Sequence, residues 1–286
     1  MHHEARQIYY NSVFYASIGS GNRLHSDGLH DYLPFNCLIN KTFYCACKET
    51  IYERNPRLAV MFVFCPKRVN SMVKKIVFFC ISAYLSRKDY NVFMVDWSEL
   101  TRFPCYLSAL SNMKKAAQCT AQLYSTITRA GGLAKMTTCV GHSLGAHVCG
   151  MISNHLTERQ YKIVGLDPGR PLVSDYGSNQ FRLTRDDAYV VQVFHTNAGF
   201  LGETGLVGHA DFCINGGKTQ PGCHGHPMRI ARCSHFMSAC YFSASVRKSK
   251  KLIGVPCDTS CPKDTGRWGI KFDRRAVLLG DDMPDG

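Results

Sequence analysis

The chain has 286 residues, 45% of them hydrophobic, and carries 34 Lys and Arg against 21 Asp and Glu, for a formal net charge of +13. That length and apolar content suffice for one large domain with a sizeable core, and no apolar run approaches the ~20 residues that a membrane-spanning helix needs. A basic excess draws a protein to anionic surfaces, but no basic module interleaved with aromatics is visible, which argues against nucleic acid as a partner.

In chain order, residues 1–57 are atypical, and Met1-His2-His3-Glu4-Ala5-Arg6 lacks the basic start and apolar stretch of a signal peptide. Asn40-Lys41-Thr42 is a glycosylation sequon within that segment. Residues 58–64 read as a buried strand and end in Cys65-Pro66-Lys67-Arg68, and residues 76–85 read as a buried strand or helix face. Residues 136–140 then form a β-branched strand pattern, and residues 144–156 carry helical apolar spacing at Leu144, Val148, Met151, Ile152 and Leu156.

Between that strand and that helix lies Gly141-His142-Ser143-Leu144-Gly145. A G-x-S-x-G turn from strand to helix is the nucleophile elbow, which lifts a serine hydroxyl above the sheet edge. Glycine suits the two flanking positions because neighbouring backbone passes close to both. Ser143 is therefore the expected nucleophile, and the Leu144 N–H at the helix start is an expected donor to a developing oxyanion. The competing reading is a glycine-rich turn between two buried elements.

A serine nucleophile needs a base, and the base needs an orienting acid. The next strand-like run, residues 161–166, ends directly in Asp167-Pro168-Gly169, where an open α/β sheet builds its sites. Asp167 is the expected acid, although it could merely begin a Pro-Gly turn. Five downstream histidines could be the base: His195, His209, His224, His226 and His235. His235 stands two residues after Cys233, a place where a disulfide would fix it.

Fifteen cysteines are many for this length. The spacings Cys223/Cys233, Cys233/Cys240 and Cys257/Cys261 suggest disulfides and an oxidising compartment. Zinc is the alternative, but no C-x₂-C pair or paired His-Cys cluster is present, so no metal is expected. The densest basic run, residues 247–251, together with Arg229 and Arg232, reads either as contact with anionic head groups or as a solvated surface.

Taken together, Gly141-His142-Ser143-Leu144-Gly145-Ala146-His147, Gly165-Leu166-Asp167-Pro168, Phe194-His195-Thr196-Asn197, Gly208-His209-Ala210-Asp211-Phe212, Asn215-Gly216-Gly217, Pro221-Gly222-Cys223 and Cys233-Ser234-His235 resemble the pancreatic lipase family, and most closely its insect phospholipase A1-like branch. Val95-Asp96-Trp97 resembles the same family upstream, and the match covers about residues 83–275. The resemblance implies an α/β-hydrolase fold, with a mostly parallel central sheet flanked by helices, over residues 58–286. It implies Ser143, Asp167 and His235 as nucleophile, acid and base, no cofactor, secretion, and a phospholipid or other lipid ester at a lipid interface as the partner. It places a lid between Cys223 and Cys233, running from His224 to Arg232. A lid this short, with a short loop at residues 197–207, accompanies phospholipase A1 activity in the family. Triacylglycerol hydrolysis is the nearest alternative.

Two departures from the family pattern stand out. The His-Gly pair that precedes the second oxyanion donor is absent after residues 58–64; the donor is then expected near Lys67 or Arg68. Its absence also fits a catalytically silent lipid-binding protein. In addition, the first eighty residues look like an imperfect gene model, and the chain ends before the family's β-sandwich domain.

Overall fold

The computed structural model describes residues 13–20, 43–48, 58–63, 80–87, 89–97, 100–101, 106–129, 134–247, 252–262 and 276–280. Eight strands form one sheet: β1 (Val13–Ser20), β2 (Phe43–Lys48), β3 (Leu58–Val63), β4 (Asn91–Asp96), β5 (Thr137–His142), β6 (Gln160–Leu166), β7 (Ala188–His195) and β8 (Ala210–Cys213). Their spatial order is β2-β1-β4-β3-β5-β6-β7-β8. Only the β1–β2 pair is antiparallel; every other neighbouring pair is parallel. Two strands from the first 57 residues thus extend the same sheet as the rest of the chain.

A parallel sheet must be covered on both faces, so its strands read as nearly continuous apolar runs. In β4, Phe93 and Val95 join one buried cluster while Val92 and Met94 join the other, because successive side chains point to opposite faces. The first cluster is closed by α2 (Tyr106–Arg129), through Leu110, Met113 and Ala117, and by α3 (Leu144–Ile152), through Val148 and Ile152. The second is closed by a helical segment at residues 80–87, here α1, through Ile81 and Tyr84, and by α5 (Pro227–Val246), through Ala239 and Phe242. A four-residue helix α4 (Val173–Tyr176) lies in the crossover from β6 to β7, and β9 (Ile253–Gly254) pairs antiparallel with β10 (Val277–Leu278).

The expected strand at residues 58–64 is β3, and the helical pattern after the elbow is α3 followed by one 3₁₀ turn, Ser153–His155. Residues 80–85 of the ambiguous run 76–85 are helix, and residues 76–79 lie outside the described residues. No helix among the described residues is long and apolar enough to cross a membrane.

The disulfides match the expected spacing in one pair and differ from it in two. Cys223 is bonded to Cys233, but Cys240 is a free thiol. Cys233 and Cys240 both lie on α5, seven residues apart. That is about 10 Å of helix, beyond the ~7 Å Cα separation a disulfide tolerates. Cys257 and Cys261 do not pair with each other; both converge on Cys213, so one of them closes a disulfide with it. The three sulfurs lie within 4.8 Å of one another. A further disulfide, Cys139–Cys149, ties β5 to α3 on either side of the elbow.

Candidate active site

The C-terminal ends of β5, β6 and β7 converge at one edge of the sheet, and each delivers part of the site. Chain direction reverses sharply at Ser143, whose φ of 57° and ψ of −125° place a non-glycine residue in strained backbone. The Ser143 N–H donates to Leu166 O at 3.0 Å, tying the turn to the end of β6. Gly141 has no room for a side chain, because a Cβ there would strike the Gly145 carbonyl and stand 2.6 Å from Ala146 Cα. Strand and helix can therefore cross this closely only over a glycine. Ser143 is partly exposed, whereas Leu144, the first residue of α3, is buried. At that first helical position the Leu144 N–H has no intrahelical acceptor and remains free for an anion.

Asp167 follows β6 directly, in the left-handed region at φ 46°. Its carboxylate is fully buried and held from both sides. Oδ1 accepts the Thr196 N–H at 2.7 Å and the Asn197 N–H at 3.0 Å, both just past the end of β7. Oδ2 accepts the Nδ1–H of His235 at 2.6 Å, a short charge-assisted bond. With Nδ1 protonated toward the carboxylate, Nε2 of His235 is left as the basic nitrogen. His235 lies on α5, two residues after the Cys223–Cys233 disulfide.

The structure brings Asp167 and His235 into contact. It does not form a hydrogen bond between Ser143 Oγ and His235; such links are often loose before substrate binds. Ser143 is held next to His142, whose ring centroid lies 4.5 Å from that of His235. His142 is itself buried, stacks on Phe236 and donates Nε2–H to His235 O at 3.0 Å. Burial and the neighbouring His235 push its pKa well below the ordinary 6.5, so it stays neutral beside that ring.

The other candidate bases are engaged or distant from the acid. His209 Nδ1 accepts the Val191 N–H at 3.0 Å. His224 and His226 are exposed, and His226 accepts the Met228 N–H with its ring as it caps α5. His195 is buried with both ring nitrogens on acceptors: Nε2 faces Asp211 Oδ1 at 2.9 Å, and Nδ1 faces Glu203 O at 2.9 Å. A ring with two acceptors carries two protons. Burial opposes that charge, but the hydrogen bond and charge of Asp211, with Asp167 and the Glu203 carbonyl adding to them, raise the His195 pKa above 6.5.

The segment expected as a lid is mostly helix. Of residues 224–232, those from Pro227 onward form the first turns of α5, leaving a three-residue turn after Cys223. Pro227 at the first helical position is the sequence signal for this start. Arg229 and Arg232 are both exposed on these turns. The facing loop at residues 197–207 is closely tied: Glu203 N–H donates to Pro168 O at 2.8 Å, and Arg170 N–H donates to Leu201 O at 2.9 Å. Lys67 and Arg68, the expected surroundings of a second oxyanion donor, lie outside the described residues, as does most of the basic run 247–251.

The family profile "Lipase" matches residues 52–262. The chain belongs to the lipase family. Its mostly parallel sheet, elbow and flanking helices are the α/β-hydrolase fold of that family. This lipase-family chain is 33% identical over 198 residues to "Lipase member H-A" of Xenopus laevis, covering 67% of this chain and 40% of that protein. It is 31% identical over 207 residues to "Lipase member H" of Oryctolagus cuniculus, covering 70% and 46% respectively. It is 33% identical over 187 residues to "Phospholipase A1 VesT1.02" of Vespa tropica, covering 61% of each. The chain therefore spans less than half the length of the two vertebrate relatives.

Proposed function

We propose that this lipase-family chain is a serine carboxylic ester hydrolase acting on lipids, and that its substrate is the sn-1 ester of a phospholipid. The observation that carries the reading is the 2.6 Å Asp167–His235 bond behind a serine in elbow geometry. Ser143 Oγ attacks the acyl carbonyl while His235 Nε2 takes its proton. The resulting oxyanion is met by the Leu144 N–H. His235 returns the proton to the departing lysophospholipid, and Asp167 stabilises the imidazolium meanwhile. Water, deprotonated by the same ring, then releases the fatty acid from Ser143. These steps use only the side chains named and backbone N–H groups.

Phospholipid is favoured over triacylglycerol by the short cover at residues 224–232, which leaves space for a polar head group. Exposed Arg229 and Arg232 supply charge for a phosphate. The resemblance to a protein named phospholipase A1 supports the same choice. The disulfides Cys139–Cys149 and Cys223–Cys233 fit an oxidising, extracellular setting.

A fluorophosphonate probe on the oxidised, folded chain, followed by peptide mapping, tests the nucleophile. The expected adduct is on Ser143 and is lost in His235→Ala. A folded protein that takes no label would point instead to a lipid-binding protein on the same fold. Release of fatty acid from phosphatidylcholine, compared with trioleoylglycerol, then decides the substrate class.

A further inference from the structure

Gly202 belongs to the loop at residues 197–207, where its backbone bridges to Gly169 and Ala198. It is buried and lies outside the left-handed region, so conformation does not demand glycine there. Proximity does. A Cβ at Gly202 would strike Asp167 Oδ1 and stand 2.6 Å from both Asp167 Cγ and Oδ2. All three atoms of the carboxylate thus meet one methyl group. To reach ordinary contact at 3.4 Å, carboxylate and loop would have to part by most of an ångström.

The end of a side chain can often turn away from such a contact, but this one is held at both oxygens. Oδ1 accepts the Thr196 and Asn197 N–H groups, and Oδ2 accepts from His235. A displacement that clears the methyl lengthens at least one of those three bonds. The loop is held as firmly. Gly202 N–H donates to Asn197 O at 3.0 Å, and Gly202 O accepts the Gly199 N–H at 3.0 Å. On either side, Leu201 N–H donates to Asn197 Oδ1 at 3.1 Å and Glu203 N–H to Pro168 O at 2.8 Å. Asn197 therefore serves both partners: its N–H binds the carboxylate, and its two oxygens hold the chain that covers the carboxylate. Only a residue without a Cβ closes this frame over Asp167, which is fully buried.

We infer that Gly202 is a positioning residue: by lacking a side chain, it lets the loop seal Asp167 at the one setting that serves both the backbone donors and His235. This rests on the reading of Asp167 as the acid that orients His235. Gly202 acts through Asp167 and touches no reacting atom.

The test uses the oxidised full chain with p-nitrophenyl butyrate and a fluorophosphonate probe. It records kcat, KM and melting temperature for Gly202→Ala, alone and in an Asp167→Ala background, and follows the His235 Nδ1 proton by NMR. That proton lies in a short charge-assisted bond and resonates far downfield. Gly202→Ala is expected to lower kcat by about 100-fold, the scale that a misplacement of about 1 Å carries. KM stays close to wild type, and the downfield proton shifts or disappears. In the Asp167→Ala background the carboxylate is gone, so the same substitution is expected to lower neither kcat nor melting temperature further. That background also decides the case in which Gly202→Ala alone does not fold. A folded double variant then supports the inference, and an unfolded one overturns it, since glycine would serve the loop itself. Wild-type kcat in Gly202→Ala overturns the inference, as does a kcat loss with the downfield proton unmoved, or an equal cost in both backgrounds. Full kcat in Asp167→Ala alone, or no label on the wild type, overturns the reading on which the inference rests. A labelled wild type with an impaired Asp167→Ala and an unaffected Gly202→Ala overturns only the present inference.

Discussion

Asp167→Asn is expected to lower kcat on ester substrates by about 10⁴-fold, with the fold retained. The size follows from what happens to a histidine base held in the wrong tautomer. Asp167 Oδ1 accepts two backbone N–H groups, from Thr196 and Asn197, and only an oxygen can stay there. Asparagine must therefore leave its oxygen on those two donors and turn its NH₂ toward His235. A ring facing a donor gives up the proton on Nδ1 and carries it on Nε2. Nε2 is the nitrogen that has to take the proton from Ser143. Steady-state kinetics on a soluble ester checks the loss, and circular dichroism checks the fold. A loss below about tenfold would mean that Asp167 does not orient the base.

The second large effect concerns stability. Asp211→Ala is expected to cost about 3–5 kcal/mol, because it leaves a buried, doubly hydrogen-bonded imidazole ring without its countercharge. Asp211 also accepts the Val207 N–H at 3.1 Å and the Gly208 N–H at 2.9 Å, so the loop ahead of β8 loses its anchor too. The sign of the pH dependence follows from His195. Its pKa in the folded chain lies above the unfolded value near 6.5. The stabilisation it contributes is then fully present below about pH 6.5 and is lost as pH rises through the elevated folded value. Urea unfolding between pH 6 and 9 should show wild-type stability declining across that window and a smaller decline in Asp211→Ala. Equal slopes in the two proteins would mean that the His195 ring is neutral in the folded state.

Much of the site was legible from local pattern. The elbow could be read because its sterics are local: Gly141 faces Gly145 four residues on, and strand and helix patterns flank them. Asp167 could be read because a parallel sheet places the end of the next strand beside the elbow. The proposed base could not be chosen from the residues alone. What separates His235 from His195 and His209 is which partner each ring meets, and those partners come from other strands and loops. The resemblance to a known family was needed for that step. The cysteine pairs show the same limit. Cys139 meets Cys149 because α3 packs back on β5, and Cys213 meets the segment carrying Cys257 and Cys261 across more than forty residues. Spacing along the chain says little about either. The helical character of residues 227–232 was within reach, since Pro227 marks a helix start. The placement of His142 beside His235 was not, although His142 belongs to the elbow motif.

Helix α5 carries most of the segment expected as a lid on its first turns and His235 on the next, with a disulfide across the junction. The proposed cover and the proposed base share one continuous helix. A flap that swings aside at an oil–water boundary must move independently of the catalytic groups, and here it would carry the imidazole away from Asp167. The enzyme proposed for this chain therefore has no separate closed state to escape. Its rate on a short-chain ester should rise smoothly with concentration through the point where the ester begins to form droplets, with no jump at the boundary.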